Sequence, residues 1–470
     1  MRDLALLLFV VATLPMAFVR PIIGLLLWMM FSYLNPHRMT WGFAASFPWV
    51  MIVALATLIA LAIQPRQRQM PPVKPLVVLM TLFLIWTALS TSHAVLSDLA
   101  FQRFMQFVKM MTMTYVTLML VTDREKLQWV IWVIVASFGF WGVKGGVFTL
   151  LTGGSYHVMG PGSSFFTDNN AFALIMCMTI PLMRHVQLRA TQRWMHNLLW
   201  VVMGFTALSV IGTYSRGGML ALAITVGMLL IKSRRRGLLI LLVPAAALAI
   251  AAVMPAKYTA RIETINNYHH DASAQGRIQS WKFATHVAKA NPLLGGGFDV
   301  WASDRMWQQY GPIGATPGRA IHSIFFEVLG EQGFVGLGLY VALLLVGYMS
   351  LARVRKRARA QPGIGDLADL ASMIQVSLIA YAAAGALLPL AYIDFFYQLL
   401  AVTVVIQVLA QREISAADRR ATNKKAPAAA ADSHASGHAP AGSRGKRRRP
   451  RKLSARPNGG IKGAQDLPPW

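Results

Sequence analysis

Long apolar runs separated by short polar connections make up most of this chain. A run of about 20 apolar residues is long enough to cross a bilayer as a helix. Within lipid only a helix or a closed barrel satisfies its own backbone hydrogen bonds. The pattern therefore predicts an all-α integral membrane protein with about 12 transmembrane helices. The apolar runs fall at 4–34, 46–63, 75–92, 101–121, 127–150, 169–184, 197–214, 217–231, 237–254, 324–350, 370–389 and 392–410.

The polar connections between these runs differ in charge, and the difference predicts their sides. Lys and Arg concentrate in the connections at 64–74, 122–126, 184–194, 232–236 and 353–363, and in the tail after 410. Basic connections stay in the cytoplasm. The alternating connections at 35–45, 93–100, 151–168, 214–216, 255–323 and 389–392 are then predicted to face outward. Both termini are predicted to be cytoplasmic.

That arrangement requires the first run, 4–34, to cross an odd number of times. As one straight helix it would be about 46 Å long, which exceeds a hydrocarbon core of about 30 Å. Arg20 and Pro21 interrupt it midway, and proline breaks helical hydrogen bonding. We expect a tilted, kinked or partly re-entrant first element. It lacks a convincing cleavage site and is followed at once by further apolar sequence, so we interpret it as retained rather than as a signal peptide.

Composition supports the membrane class and locates the charge. Of 470 residues, 55% are hydrophobic and only 13% are charged, against about 25% charged in soluble domains. The net charge of +27 is concentrated in the cytoplasmic connections and the tail. We therefore predict attraction to membrane lipids and no nucleic-acid partner. The single cysteine, Cys177, excludes a disulfide framework or a cysteine metal cluster within this sequence.

Four regions follow from this pattern. We predict an N-terminal transmembrane bundle at 1–254, an outer catalytic loop at 255–323, C-terminal transmembrane helices at 324–410 and a disordered basic tail at 411–470. The segment 277–289 within the loop has helical apolar spacing and is predicted to lie in the membrane interface. Arg277 would then occupy its first turn, where the helix dipole disfavours a cation.

The outer loop carries the densest set of polar groups able to do chemistry. His322 stands where the loop re-enters the bilayer and could accept a proton near neutral pH. Glu327 and Glu331 follow it as candidate orienting partners. Arginine donates two parallel hydrogen bonds to a phosphate, so Arg277 suggests an anionic substrate. Each of these residues has an alternative interpretation as an ordinary structural or solvated surface group.

Two further outward segments carry candidate residues. GTYSRGG places Arg216 between two apolar runs, where it is either an interfacial anchor or a clamp for a diphosphate. In FFTDNNAFA, Asp168 or Asn169 can cap the following helix, and Asn170 could bind sugar or phosphate. The wider set of candidate substrate-binding residues comprises Asp168, Asn170, Tyr214, Asp299 and Arg319.

The absence of metal and nucleotide motifs, and the few ionisable residues within the apolar runs, favour a metal-free enzyme over a transporter. The sequence contains no HExxH, P-loop or GxSxG motif. We therefore predict chemistry without a metal or another cofactor. A transporter would place ionisable residues within several spans, and Lys144 and Asp394 are the notable cases here. The clustering of reactive groups at one face favours an enzyme.

These motifs together resemble the O-antigen ligase and polymerase superfamily of bacterial membrane glycosyltransferases. The resemblance rests on TYSRGG (213–218), QGRIQSW and NPLLGGGFD in the outer loop, IHSIFFEVLGEQGFVGL (321–337) and FFTDNNAFA. It covers residues 1–410. NPHRMTWGFA (35–44) is similar to the branch of O-glycosylation ligases associated with exosortase systems.

The resemblance implies a GT-C-like fold in the bacterial inner membrane with a periplasmic active site. It implies transfer of a glycan from undecaprenyl diphosphate to an acceptor hydroxyl, with inversion at the anomeric carbon. In the ligases the acceptor is the lipid A–core saccharide. An essential histidine carries over to His322, and two essential arginines carry over to Arg216 and Arg277. A polymerase of the same repeat units and a ligase to protein remain alternatives.

Overall fold

A computed structural model describes residues 1–232, 237 and 272–435, and within those ranges its regular structure is helical. The predicted span 237–254, apart from residue 237, and the tail after 435 lie outside the described residues, as does the loop segment 255–271. The chain divides into two compact units, Met1–Ser415 and Ala416–Trp470. The described helices are α1 (Arg2–Val19), α2 (Pro21–Tyr33), α3 (Trp49–Ile63), α4 (Pro75–Ser92), α5 (Ser97–Leu120), α6 (Arg124–Leu151), α7 (Asn169–Arg189), α8 (Arg193–Gly212), α9 (Arg216–Lys232), α10 (Ala272–Ala290), α11 (Asp304–Tyr310), α12 (Ile324–Arg359), α13 (Gly365–Gly385) and α14 (Asp394–Ala435).

Most of these helices have the length and composition of membrane spans. Among the described residues, 8 helices are long and apolar enough to cross a bilayer: α1, α4, α6, α7, α8, α12, α13 and α14. The apolar helices α2 and α3 are shorter, with 13 and 15 residues. The helical membrane architecture is thus confirmed, while the total of about 12 crossings stays a prediction.

The connections of the first unit gather at two opposite ends of the bundle. At one end, here called the loop end, Val95 N donates to Gly296 O at 3.1 Å and Val158 N donates to Gly212 O at 2.9 Å. The opposite end, here called the basic end, carries the described Lys- and Arg-rich connections. There Arg412 donates to Gln69 Oε1 at 2.7 Å. The connections predicted to face outward share the loop end as far as the structure describes them. Which side of a membrane that end faces stays a prediction.

The first apolar run is a hairpin, which corrects its predicted path. Arg20 is extended (φ −133°, ψ 94°) and ends α1, and Pro21 begins α2. Asp3 Oδ1 accepts from Gly42 N at 3.1 Å at the loop end, whereas Gln67 Nε2 donates to Val19 O at 2.8 Å at the basic end. The run therefore traverses the bundle twice, an even number. Residue 2 and residues 411–413 therefore lie at opposite ends of the bundle, and the cytoplasmic location of both termini stays a prediction.

Helix α12 is interrupted at Gly333, and the outer loop fills the break. Gly333 has φ 69° and ψ −171°, outside helical values. The interruption releases carbonyl groups that would otherwise bond within the helix. Gly296 N donates to Gly330 O and Gly297 N donates to Glu331 O, both at 2.9 Å. Trp86 Nε1 donates to Gln332 O at 3.0 Å. The run of three glycines in NPLLGGGFD thus docks the loop onto α12.

The rest of the described loop forms a small helical layer with its own core. Phe283 of α10 stacks on Trp307 of α11 with ring centroids 4.2 Å apart. Val287, Val300 and Ile321 complete this buried cluster. The predicted apolar face of 277–289 is therefore covered by protein. Helix α10 also begins at Ala272, five residues before Arg277, so Arg277 does not stand in its first turn as predicted.

Candidate functional site

His322 lies at the loop end, directly before the residue that caps α12. Ser323 Oγ accepts from Phe326 N at 3.5 Å, which starts the helix. Trp281 Nε1 of α10 donates to the His322 carbonyl at 3.1 Å. The His322 side chain is half-buried. The histidine is thus held between the loop helix α10 and the mouth of α12.

Three charged residues from separate segments act on the His322 imidazole. Burial lowers its pKa, the positive charge of Arg277 and more weakly that of Arg319 lower it further, and Asp168 opposes them. Coulomb interactions weaken with distance, so these three residues lie near enough to act on His322; together with it they are here called the His322 cluster. A lowered pKa keeps the imidazole neutral at neutral pH, which is the state that accepts a proton.

Arg319 lies against the backbone of α10 beside Arg277. A Cβ atom at Gly276 would be 1.8 Å from Arg319 Nη1. A side chain at position 276 would therefore displace the guanidinium. Gly276 keeps room for two neighbouring arginines at this point of the site.

The turn that carries Arg216 is fastened to the segment that carries Asp168. Ser215 Oγ donates to Asn170 Oδ1 at 2.7 Å. Asn169 Nδ2 donates to Thr213 O at 2.8 Å. Arg216 follows at once as the first residue of α9. The 168–170 segment thus stands beside His322 on one side and beside the Arg216 turn on the other.

Asp168 caps a helix, as predicted, and its charge acts on His322, while a role in substrate binding stays a prediction. It is the N-cap of α7, and its Oδ1 accepts from Asn170 N at 2.9 Å and from Ala171 N at 3.1 Å. Its charge also reaches His322. Because the capping bonds hold the carboxylate in place, its negative charge keeps a constant position relative to the His322 imidazole.

Tyr214 and Asp299 are positioned mainly by contacts with protein. Tyr214 is buried with φ 57°, its hydroxyl donates to Gly154 O, and its ring lies 4.7 Å from that of His157. Asp299 Oδ2 pairs with Arg103 Nε at 2.7 Å, and its Oδ1 accepts from Trp301 Nε1 at 3.1 Å.

The two glutamates after His322 serve other partners than the imidazole. Glu331 Oε1 accepts from Asp299 N at 2.9 Å, and Glu327 Oε2 accepts from Ala391 N at 3.0 Å. Sequence reasoning missed Arg103 and considered Asn169 only as a helix cap. Arg103 was detectable as a charge inside an apolar run, whereas the bond from Asn169 to Thr213 depends on the folded contact.

The cluster around His322 combines a neutral base with two guanidinium groups, which suits an anionic substrate that loses a proton. In the described ranges, no three His, Cys, Asp or Glu side chains are grouped to hold a metal ion. The fold and this cluster define a helical, multi-pass membrane protein with a polar site at one end of its bundle.

Comparison with known proteins adds the family. Residues 201–341 match the family described as O-antigen ligase, and these residues carry that domain. Residues 1–191 match a family of unknown function, DUF5935. The exopolysaccharide production protein ExoQ of Rhizobium meliloti (strain 1021) is 25% identical over 121 residues, covering 23% of this chain. The matched stretch is 28% of that relative's length.

These matches confirm the resemblance that the motifs indicated and support a ligase- or polymerase-type membrane glycosyltransferase. Arg216, Arg277, Arg319 and His322 all lie within the O-antigen ligase match. Asp168 and Asn170 lie within the other matched region. The two matched regions therefore meet at the site. The similarity to exosortase-associated ligases stays a prediction.

Proposed function

We propose that this protein is an O-antigen ligase that transfers a glycan from undecaprenyl diphosphate to an acceptor hydroxyl of lipid A–core on the periplasmic face. The observation that carries the proposal is the convergence of three distant segments, 168–170, 213–216 and 277–322, at the loop end. The match of residues 201–341 to the O-antigen ligase family supports glycan transfer as the reaction at this site.

The arginines of the site bind the donor. Arg216 and Arg277 hold the diphosphate, with Arg319 beside them. A guanidinium offers planar paired donors that match phosphate oxygens. As the bond from the anomeric carbon to the diphosphate oxygen breaks, negative charge grows on the leaving group. Fixed cations stabilise that charge without rearranging. This is the role that a metal ion has in many other transferases.

His322 acts on the acceptor. Its neutral imidazole takes the proton of the acceptor hydroxyl while the hydroxyl oxygen attacks the anomeric carbon. The diphosphate leaves from the opposite face, so the configuration at that carbon inverts. The proton ends on the imidazole and the electron pair of the broken bond ends on the diphosphate. Asp168 favours the imidazolium formed in this step.

A polymerase of lipid-linked repeat units is the second candidate. It is favoured by the similarity to ExoQ, whose name assigns it to exopolysaccharide production. The donor half of the mechanism would be the same, and a second lipid-linked glycan would replace lipid A–core as acceptor. Transfer to a protein hydroxyl is the third variant of the same chemistry.

Deletion of the gene, followed by electrophoresis of lipopolysaccharide and extraction of lipid-linked glycans, tests the proposal. A ligase predicts loss of capped lipopolysaccharide together with accumulation of polymer on the lipid carrier. Capping by single repeats would identify the polymerase instead. Unchanged lipopolysaccharide with loss of an exopolysaccharide or a glycoprotein would contradict the assignment of lipid A–core as acceptor.

A further inference from the structure

A cavity opens at the loop end, apart from the residues assigned to transfer. It has a volume of about 1040 Å³ and lies between α1, α6 and the connections 36–41 and 157–162. Its lining residues all fall within the region that matches the family of unknown function. Its volume is at the upper end of the range typical of ligand pockets.

The charged side chains lining this cavity are cationic. Arg2, Arg38 and Lys144 contribute three permanent positive charges, here called the cationic cluster, and His157 lies nearby. Among the described residues, no Asp or Glu lines it. One guanidinium nitrogen of Arg38 donates to Ala45 O at 3.0 Å, and one of Arg2 donates to Met39 O at 3.3 Å. These bonds fix both side chains at the cavity, and the cluster is complementary to an anion.

Lys144 is the most informative member of the cluster. It lies in the apolar helix α6, seven residues before the helix end at Leu151, which is about 10 Å along the helix axis. Its ammonium nitrogen lies 4.6 Å from the centre of the Trp141 ring. A lysine within a membrane-spanning helix is costly unless it reaches a polar partner. An anion in the cavity would be that partner.

The remaining wall is suited to lipid chains rather than to a small soluble anion. Leu6, Phe9, Met30 and Phe148 line it, and Phe9 and Phe148 are 40% and 41% exposed. Trp41, which is 87% exposed, lies at the rim. Tryptophan is enriched where lipid head groups begin. Apolar walls below a cationic cluster and an interfacial tryptophan form an amphipathic site.

We propose that this cavity binds one anionic phospholipid, with its phosphate at the cationic cluster and its acyl chains against the apolar wall. The site is distinct from the donor head-group site at His322. The two are close to each other, because the ring of His157, which lines the cavity, lies 4.7 Å from that of Tyr214, two residues before Arg216. The proposal concerns binding and does not depend on which glycan is transferred.

Native mass spectrometry of the purified full chain, with equal amounts of phosphatidylglycerol and phosphatidylcholine added, tests the proposal. We expect selective retention of one phosphatidylglycerol. Lys144→Gln and Arg38→Gln should each weaken that retention about fivefold, the effect expected for one cation near an anionic lipid. Lys282→Gln, an exposed cation of α10, is the matched control and should retain phosphatidylglycerol as the wild type does.

Three results would overturn the proposal. The first is equal retention of both lipids by the wild type. The second is unchanged phosphatidylglycerol retention in both Lys144→Gln and Arg38→Gln. The third is displacement of the lipid by inorganic phosphate at equal concentration, which would indicate a site for a small anion. Two variants on separate elements guard against misfolding of either one, and circular dichroism checks that each retains its helical content.

Discussion

Two polar clusters flank the start of α12, and they differ in composition. The cluster at His322 combines Arg277 and Arg319 with a single carboxylate, Asp168. The cluster one to two turns further along α12 combines Asp299, Glu327 and Glu331 with Arg103. In this second cluster, each carboxylate accepts a hydrogen bond or ion pair from a named protein donor. The first cluster is therefore suited to an anionic ligand and the second to holding the chain together.

The second cluster shows what the first depends on. Glu331 fixes the backbone of Asp299, and Glu327 fixes that of Ala391. These bonds attach the outer loop and the 386–393 connection to the same helix mouth that presents His322. Reactive-looking carboxylates beside a catalytic candidate can thus be positioning groups. Variants of the two clusters should separate loss of chemistry from loss of stability.

The largest effect is expected from His322→Ala. Loss of the base should lower the rate of glycan transfer by about 10²- to 10⁴-fold and leave donor binding near the wild-type value. Transfer to acceptor and binding of a lipid diphosphate are to be measured on the same preparation. His286→Ala removes an exposed histidine of α10 and is the control. Wild-type transfer by His322→Ala at matched protein levels would end the base assignment.

A smaller effect is expected from replacing the arginines, and it should appear in donor binding, which His322→Ala should leave unchanged. Arg216→Gln and Arg277→Gln should each weaken binding of the lipid diphosphate by about ten- to hundredfold, the value of a charge-assisted hydrogen bond. Equilibrium binding of undecaprenyl diphosphate in detergent measures this. Lys282→Gln, an exposed cation one turn beyond Arg277, should bind as the wild type does. Unaltered affinity in both arginine variants would rule out the diphosphate clamp.

The sequence predicted the positive cluster better than the carboxylate cluster. His322, Arg277 and Arg319 lie in or beside recognisable motifs, and their residue types suit proton and phosphate chemistry. Asp299, by contrast, was predicted only as a candidate substrate-binding residue, and its ion pair with Arg103 was not predicted. Its partner Arg103 is 196 residues away in sequence, and such a pairing arises only from tertiary contact.

One of the two backbone breaks was predictable in place, and neither was predictable in geometry. Arg20 and Pro21 indicated an interruption, yet the reversal into a hairpin depends on α1 and α2 packing together: a Cβ at Gly24 would lie 3.1 Å from that of Ala17. The break at Gly333 was hidden within a continuous apolar run. It persists because the 292–297 segment and Trp86 supply the hydrogen bonds that the helix gives up.

The break in α12 at Gly333 predicts how much the packing of the loop beside the carboxylate cluster contributes to stability. A Cβ at Gly333 would lie 2.3 Å from Leu293 O, and φ there is 69°. Gly333→Ala should therefore lower the free energy of unfolding by about 1–3 kcal/mol. Thermal unfolding in detergent measures it. Gly338→Ala, on the same helix with no atom within 4 Å of the added Cβ, is the control and should be neutral or slightly stabilising. Equal unfolding temperatures for both variants would mean that the backbone at Gly333 does not pack tightly against Leu293.

The smallest effect is a pair of opposite shifts in the pH dependence of transfer. The rate should fall as His322 gains a proton, and its lowered pKa places that acid limb below the ordinary value of 6.5. Arg319→Gln removes a positive neighbour, which raises the pKa of His322 and moves the limb to higher pH. Asp168→Asn keeps an N-cap residue but removes a negative neighbour, which lowers that pKa and moves the limb to lower pH. Each shift should be up to about one pH unit.

Arg305→Gln, at an exposed residue of α11, is the control and should leave the acid limb at its wild-type pH. Shifts of the same sign in Arg319→Gln and Asp168→Asn would show that the limb reports a group other than His322.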